Sequence, residues 1–205
     1  MRHILLSAFL LLTAVSTYGQ TGSPPPQPCT LKISQAPSVR GLKLGMTMDE
    51  LFPLFPGMSD SEGIKQTLST AESFPKFGDT AFSINPLSWG NKERFAGISE
   101  VSVHTFDRRI IGLSVRYDEF PSGARWKNAD DLIQRFSDSL HLPGPKEWGP
   151  DPYNTSVKKL MCDGFEVAVS AGDRGSISFY TNSWEGIRKE RLAAFEEQKR
   201  REFKP

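Results

Sequence analysis

Apolar and polar residues alternate through the middle of the chain in a pattern that predicts a β-hairpin. The alternating apolar residues within 98–117 include Val101 and Val103, and then Ile111, Leu113 and Val115. This two-residue period is typical of strands with one buried face. A three-residue loop at 107–109 would place Val103 opposite Leu113, whereas a two-residue turn would divide the apolar set between the two faces. The pattern therefore predicts a hairpin with the odd-length loop.

A second hairpin is predicted where two apolar runs flank Asp163-Gly164, because this dipeptide favours a two-residue turn. Its strands would be residues 158–162 and 165–170, with Cys162 facing Phe165. A third strand, residues 176–180, follows a glycine-containing turn. Shorter strands are predicted at residues 30–34 and 81–85.

Two helices are indicated by capping residues that precede apolar positions at helical spacing. Thr47 and Glu50 form a capping box, and Pro53 limits the helix that follows to a few residues. Asn128 caps a longer helix with one apolar face: Ala129, Leu132, Ile133, Phe136 and Leu140. A helical turn or two is also expected within residues 61–71.

These elements predict an α+β domain over residues 29–183, with an antiparallel sheet of about six strands and helices on one face. Residues 41–117 and 126–180 each contain a capped helix, a Pro-Gly pair and then strands. This order fits either a tandem α-βββ repeat or an ordinary α+β chain without duplication. Residues 184–205 predict a charged C-terminal helix, either a solvated face or a partner-binding arm.

The beginning of the chain predicts export. Residues 1–19 have a basic start, an apolar run too short to span a bilayer and small residues before Gln20, as in a signal peptide. Residues 20–28 contain four prolines and predict an extended leader. The two cysteines, Cys29 and Cys162, would form a disulfide across 133 residues in an oxidising compartment. We expect a periplasmic or extracellular protein without a membrane span.

Charge and motifs exclude several classes of function. The 25 basic and 24 acidic residues leave a net charge of +1, so no overall field attracts nucleic acid or an anionic membrane. The sequence contains no phosphate-binding loop, nucleophile elbow or zinc-hydrolase motif.

We interpret His104 as a surface residue of a strand and His141 as a residue at a helix end. No catalytic residue, metal ligand or cofactor is assigned. Two carboxylates brought together by the fold would make a small envelope hydrolase acting on glycans, and this alternative stays open.

Three aromatic residues in irregular segments are candidate binding residues: Trp89, Trp148 and Tyr153. Rings held on proline-rich loops can anchor a protein or sugar at a low cost in conformational entropy. The alternative is that they close the ends of the sheet as part of the core.

Residues 41–51, followed by Phe55-Pro56, resemble the opening helix of BamE (SmpA/OmlA) envelope domains, in which a Gly-Met-Thr cap starts a helix ahead of a small sheet. The predicted order of elements also resembles the repeated unit of the β-lactamase inhibitor protein fold. The resemblance covers residues 41–57. It implies an envelope or secreted bacterial protein that binds another protein and catalyses no reaction. We therefore expect a non-catalytic binding or structural module with a protein partner, and assign no small-molecule or glycan ligand.

Overall fold

The computed structural model describes residues 29–73, 76–89, 91–118, 125–172 and 174–203, so the expected signal peptide and leader lie outside the described part. One antiparallel sheet of seven strands has the order β1-β2-β3-β7-β6-β5-β4. The strands are β1 (Asp79–Ile84), β2 (Ile98–Phe106), β3 (Arg109–Tyr117), β4 (Gly149–Pro150), β5 (Val157–Cys162), β6 (Phe165–Ala171) and β7 (Gly175–Tyr180). The helices are α1 (Met48–Leu51), α2 (Glu62–Ala71), α3 (Ala129–Leu140) and α4 (Glu185–Glu202). The predicted α+β class, antiparallel sheet and C-terminal helix are confirmed.

The core lies on one side of the sheet. Alternate residues of the central strands point into it and are buried: Val101, Val103, Leu113, Val115, Val167, Val169, Ile177 and Phe179. The buried side chains of α1 and α3 belong to the same contiguous cluster as these strand residues. Because successive strand residues face opposite sides of a sheet, α1 and α3 therefore pack on the same face.

The predicted register of the first hairpin is confirmed, but the predicted loop is wrong. Val103 pairs with Leu113, as expected. The turn contains only Asp107 and Arg108, which both have positive φ, of 49° and 60°. A bulge at Ile111, between two pairs of the ladder, supplies the missing residue and returns the apolar set to one face.

A distant segment pairs with the backbone next to the bulge. The N–H of Ile110 donates to the carbonyl of Met46 at 2.8 Å, and the N–H of Gly45 donates to the carbonyl of Ile110 at 2.7 Å. The chain just before α1 thus satisfies the backbone groups of Ile110 that point away from β2. The same pairing places the Thr47 capping box, whose hydroxyl accepts from the N–H of Glu50, against the start of β3.

Cys29 and Cys162 form the predicted disulfide, with 4.5 Å between their Cα atoms. The predicted strand at residues 30–34 is wrong. Lys32 forms a single bridge to Asp163, and a 3₁₀ turn follows at Ile33–Gln35. The side chain of Gln35 accepts from the Lys32 N–H at 3.0 Å, and this local hydrogen bond competes with a longer ladder.

The two halves of the domain contribute strands in mirrored order. Residues 41–117 supply β1, β2 and β3, residues 126–180 supply β5, β6 and β7, and the last strand of each half pairs with the other at the centre of the sheet. A tandem repeat related by a twofold axis would have this order. The halves also differ, because α2 belongs to the first and β4 to the second. Duplication stays a prediction.

The first half of α4 lies against the end of the β2–β3 hairpin. The Trp184 ring centroid is 5.5 Å from that of Phe106, and the guanidinium of Arg191 forms two 2.7 Å hydrogen bonds with the Asp107 carboxylate. Near the C-terminus of α4, side chains of the helix form ion pairs with one another, as in the 3.0 Å contact of Arg201 with Glu197. In the part of the chain that the structure describes, no helix combines the length and apolarity needed to cross a membrane.

Candidate functional site

The three candidate aromatic residues have different environments. Trp148 is only 5% exposed, and its indole N–H donates to the carbonyl of Pro143 at 2.9 Å. Of the two alternatives for this residue, the burial favours the second, in which the ring is part of the core. Trp89 is half-buried against the core. Tyr153 is 96% exposed and is the one of the three whose ring is free to meet a partner.

His104 and His141 lie where the sequence places them, but His104 is not isolated. Its Nε2 is 2.5 Å from the Asp79 carboxylate, and its ring meets Trp184 edge to face with 5.4 Å between centroids. The interpretation of His104 as a plain surface residue is therefore corrected: the strand pairing brings in a carboxylate 25 positions away in the sequence. His141 ends α3 in a left-handed conformation, at φ 56°.

The side of the sheet opposite the core is lined by small polar residues in rows. The register aligns four serines on four neighbouring strands: Ser83, Ser102, Ser114 and Ser178. The next row along the strands comprises Ala81, His104, Gly112, Tyr180, Glu166 and Met161. These side chains are half-buried or exposed, apart from Gly112, where a ring lies above the backbone. We call the side of the sheet that carries the serine row the open face.

Hydrogen bonds connect the open face laterally. The hydroxyls of Ser83 and Ser102 are 3.1 Å apart, and that of Ser178 donates to Ser114 at 2.8 Å. Both Ser83 and Ser102 also donate to the Glu100 carboxylate, at 2.9 and 3.0 Å. These two hydrogen bonds hold the pKa of Glu100 below its usual value, and a further contact from Arg116 acts in the same direction. The face thus contains polar groups in fixed orientations.

An aromatic groove of about 580 Å³ lies at one end of the open face. Its lining includes His104, Met161, Glu166, Tyr180, Trp184 and Glu185. The Tyr180 ring lies across Gly112, where an added Cβ would come within 2.8 Å of the ring. Glycine at this position therefore lets the tyrosine lie flat against the sheet.

Ion pairs fix the acidic side chains at the edge of the groove. The ammonium of Lys159 contacts Glu166 at 3.3 Å and Asp151 at 2.9 Å. The hydrogen bond from Lys159, with backbone N–H donors from Tyr153 and Asn154, holds the pKa of Asp151 below its usual value. Among the described residues, no group of three or more His, Cys, Asp or Glu side chains is placed to hold a metal ion.

Neither the family models, the curated proteins nor the solved structures give a match to this chain. The resemblance of residues 41–57 to BamE-type domains and to the β-lactamase inhibitor protein fold therefore stays a prediction. The disulfide fits an exported protein, because disulfides form and persist in oxidising compartments.

The open face and the groove were not predicted from the sequence. A usable signal is present, because Ser114 is the polar residue between two apolar positions of β3, and Ser176 and Ser178 alternate with apolar residues in β7. The order of the strands aligns the residues of each row and places Trp184 against His104. This order could not be derived from spacing along the chain.

Proposed function

We propose that this protein is an exported, non-catalytic binding module that engages a protein partner in the bacterial envelope through the open face. The observation that carries the proposal is the serine row across four neighbouring strands. Strands favour β-branched and aromatic side chains, such as threonine and tyrosine, at these positions. Serine has a lower strand propensity than these residues, but its side chain is short. The backbone of a partner can therefore approach the sheet closely.

The groove indicates which side chains the partner presents. Tyr180 and Trp184 supply aromatic rings and Glu185 supplies a carboxylate to the same groove, whereas the Glu166 carboxylate is already paired with Lys159. Aromatic faces and carboxylates together favour a cationic group, which a guanidinium satisfies by stacking and hydrogen bonding at once. We therefore expect a partner loop that places an arginine or lysine in the groove and lays polar backbone along the serine row.

The disulfide and the expected signal peptide support the compartment that we propose. The Cys29–Cys162 bond requires an oxidising environment to form and persist. The periplasm or the cell exterior provides one, and both give access to envelope proteins. This compartment is part of the proposal, together with the BamE-like character that residues 41–57 suggest.

A blocking substitution on the open face tests the proposal. Ser178→Arg introduces a long cationic side chain at the β7 end of the serine row, on the middle strand of the sheet, so it both covers the surface and repels a basic partner. Mature protein carrying this change is compared with wild type for recovery of partners from the envelope fraction of the native cells. We expect at least about a tenfold loss of the specific partner, as for disruption of a central contact.

Gln134→Arg is the matched control, because Gln134 is exposed on α3, on the other side of the sheet. It adds the same charge and should leave recovery unchanged. Thermal unfolding of both variants verifies that each is folded. Equal recovery by folded Ser178→Arg and Gln134→Arg would contradict the proposal.

A glycan-cleaving hydrolase is the second candidate, because Glu166 and Glu185 line the same groove. Such an enzyme needs two carboxyl groups about 5 to 10 Å apart across the bond it breaks. The binding proposal predicts no release of soluble fragments from purified peptidoglycan by the wild-type protein. Release that is abolished by Glu166→Gln or Glu185→Gln would favour the hydrolase.

A further inference from the structure

A second cavity, of about 380 Å³, lies between α2 and the ends of β1 and β2. We call it the threonine cavity. Its lining includes Leu68 and Ala71 from α2, Phe77, the strand residues Thr80 and Thr105, and Arg191 from α4. Its volume lies within the range of small-molecule sites, about 300 to 1,000 Å³.

Two buried threonines line this cavity. Thr80 and Thr105 are paired directly across β1 and β2, and the two residues are 4% and 1% exposed. Neither hydroxyl oxygen has a hydrogen-bond partner among the described protein atoms. Buried hydroxyls are nearly always hydrogen-bonded, because leaving one without a partner costs free energy. The pair therefore has unused hydrogen-bonding capacity at the wall of the cavity.

The rest of the inner wall is apolar, and the mouth is electrically balanced. Leu68 and Ala71 are buried on the α2 side. At the mouth, Arg191 binds Asp107 in a bidentate pair and also donates to the carbonyl of Phe77 at 3.0 Å. Arg108 and Glu72 also line the cavity, so its lining carries two basic and two acidic side chains and gives an anionic ligand no net attraction.

The contacts at the mouth of the cavity require a glycine at position 78. Its φ is +98°, and an added Cβ would collide with the Asp107 carboxylate and crowd Arg191. The N–H of Asp107 also donates to the carbonyl of Gly78 at 3.0 Å. The glycine, the β2–β3 turn and α4 therefore form one tightly packed rim around the cavity.

We propose that the threonine cavity binds a small, uncharged and mainly apolar molecule that carries a single hydroxyl or carbonyl oxygen. The apolar body of the ligand lies against Leu68, Ala71 and Phe77, and its oxygen lies between Thr80 and Thr105. This site is on the core side of the sheet and is independent of the open face. Binding to one surface does not require a ligand at the other.

A matched pair of probes tests this ligand class with the full mature chain. p-Cresol and toluene have similar apolar bodies, but only p-cresol carries a hydroxyl. Methyl signals of Leu68 and Ala71 are followed by NMR while each probe is titrated. We expect saturable shifts with p-cresol and at least fivefold weaker binding of toluene.

Thr105→Val removes one hydroxyl and keeps the side-chain shape. In this variant we expect the preference for p-cresol to fall toward equal binding and the Tm to rise, because a buried hydroxyl without a partner has been removed. Thr80→Val provides a second, independent variant if Thr105→Val does not fold. Thr67→Val is the control, since the Thr67 hydroxyl donates to the carbonyl of Gly63 at 2.8 Å on α2.

Three results would overturn the proposal. The first is the absence of saturable shifts with both probes up to their solubility limits. The second is equal affinity of the wild-type protein for p-cresol and toluene. The third is a lower Tm for both threonine variants with the preference for p-cresol unchanged, which would mean that the hydroxyls are satisfied inside the protein.

Discussion

Loss of the Cys29–Cys162 disulfide should remove a large part of the stability of this protein. The bond closes a span of 133 residues. The chain-entropy relation for such a span gives about 5 kcal/mol of stabilisation at 25 °C, through restriction of the unfolded chain. Typical free energies of unfolding are about 5 to 15 kcal/mol. The double variant Cys29→Ala with Cys162→Ala should therefore be marginally folded.

Urea denaturation followed by circular dichroism measures the effect. With a denaturant slope of about 2 kcal/mol per molar, a loss of about 5 kcal/mol lowers the urea midpoint by about 2 M or more. Reduction of the wild-type protein with dithiothreitol should produce a similar shift, and the same treatment should leave the double alanine variant unchanged. A midpoint that falls by less than about 0.5 M would refute the reasoning, because the long span would then not restrict the unfolded chain.

Further predictions concern a depressed pKa, a close contact and a helix cap. Asp151→Asn should lower stability at pH 7; because the pKa of Asp151 is lowered in the folded state, its contribution is present above the unfolded value and is lost as the pH falls below about 4. The difference between the urea midpoints of wild type and variant should therefore shrink as the pH is lowered below about 4, and a constant difference would count against this assignment. Gly112→Ala should displace the Tyr180 ring, which would change the near-ultraviolet circular dichroism and weaken partner binding; an unaltered spectrum would show that the ring does not lie on this glycine. Asn128→Ala removes the cap that accepts from the Asp131 N–H at 2.9 Å and should cost about 1 kcal/mol in urea unfolding; an unchanged urea midpoint would count against this cap.

Local signals in the sequence were sufficient for the helix starts and for one of the two hairpins in full. The Thr47 and Asn128 caps and the Asp163-Gly164 turn are determined within a few residues, so their positions follow from side-chain chemistry. The other hairpin shows the limit of this approach. Its register follows from alternation, but alternation alone does not show that a two-residue turn and a bulge at Ile111 together produce this register.

The candidate sites depend on contacts between residues far apart in the chain. The pairing of β1 with β2 brings Asp79 into contact with His104 and places Thr80 opposite Thr105. The burial of Trp148 could not be derived from its proline-rich surroundings, because proline restricts the backbone without determining which way a side chain points. The sequence patterns do not determine the order of the strands, and the contacts at both candidate sites depend on that order.

Contact between a partner and the open face is the most direct test of the account. A photo-crosslinking amino acid is placed at Ala81, which is exposed on the open face, and in a separate variant at Gln134 on α3. Both proteins are expressed in the native cells and irradiated, and the adducts are compared by mass spectrometry. The account predicts a defined protein adduct from Ala81 that is absent from Gln134. An adduct from Gln134 alone, or the same adducts from both positions, would contradict it.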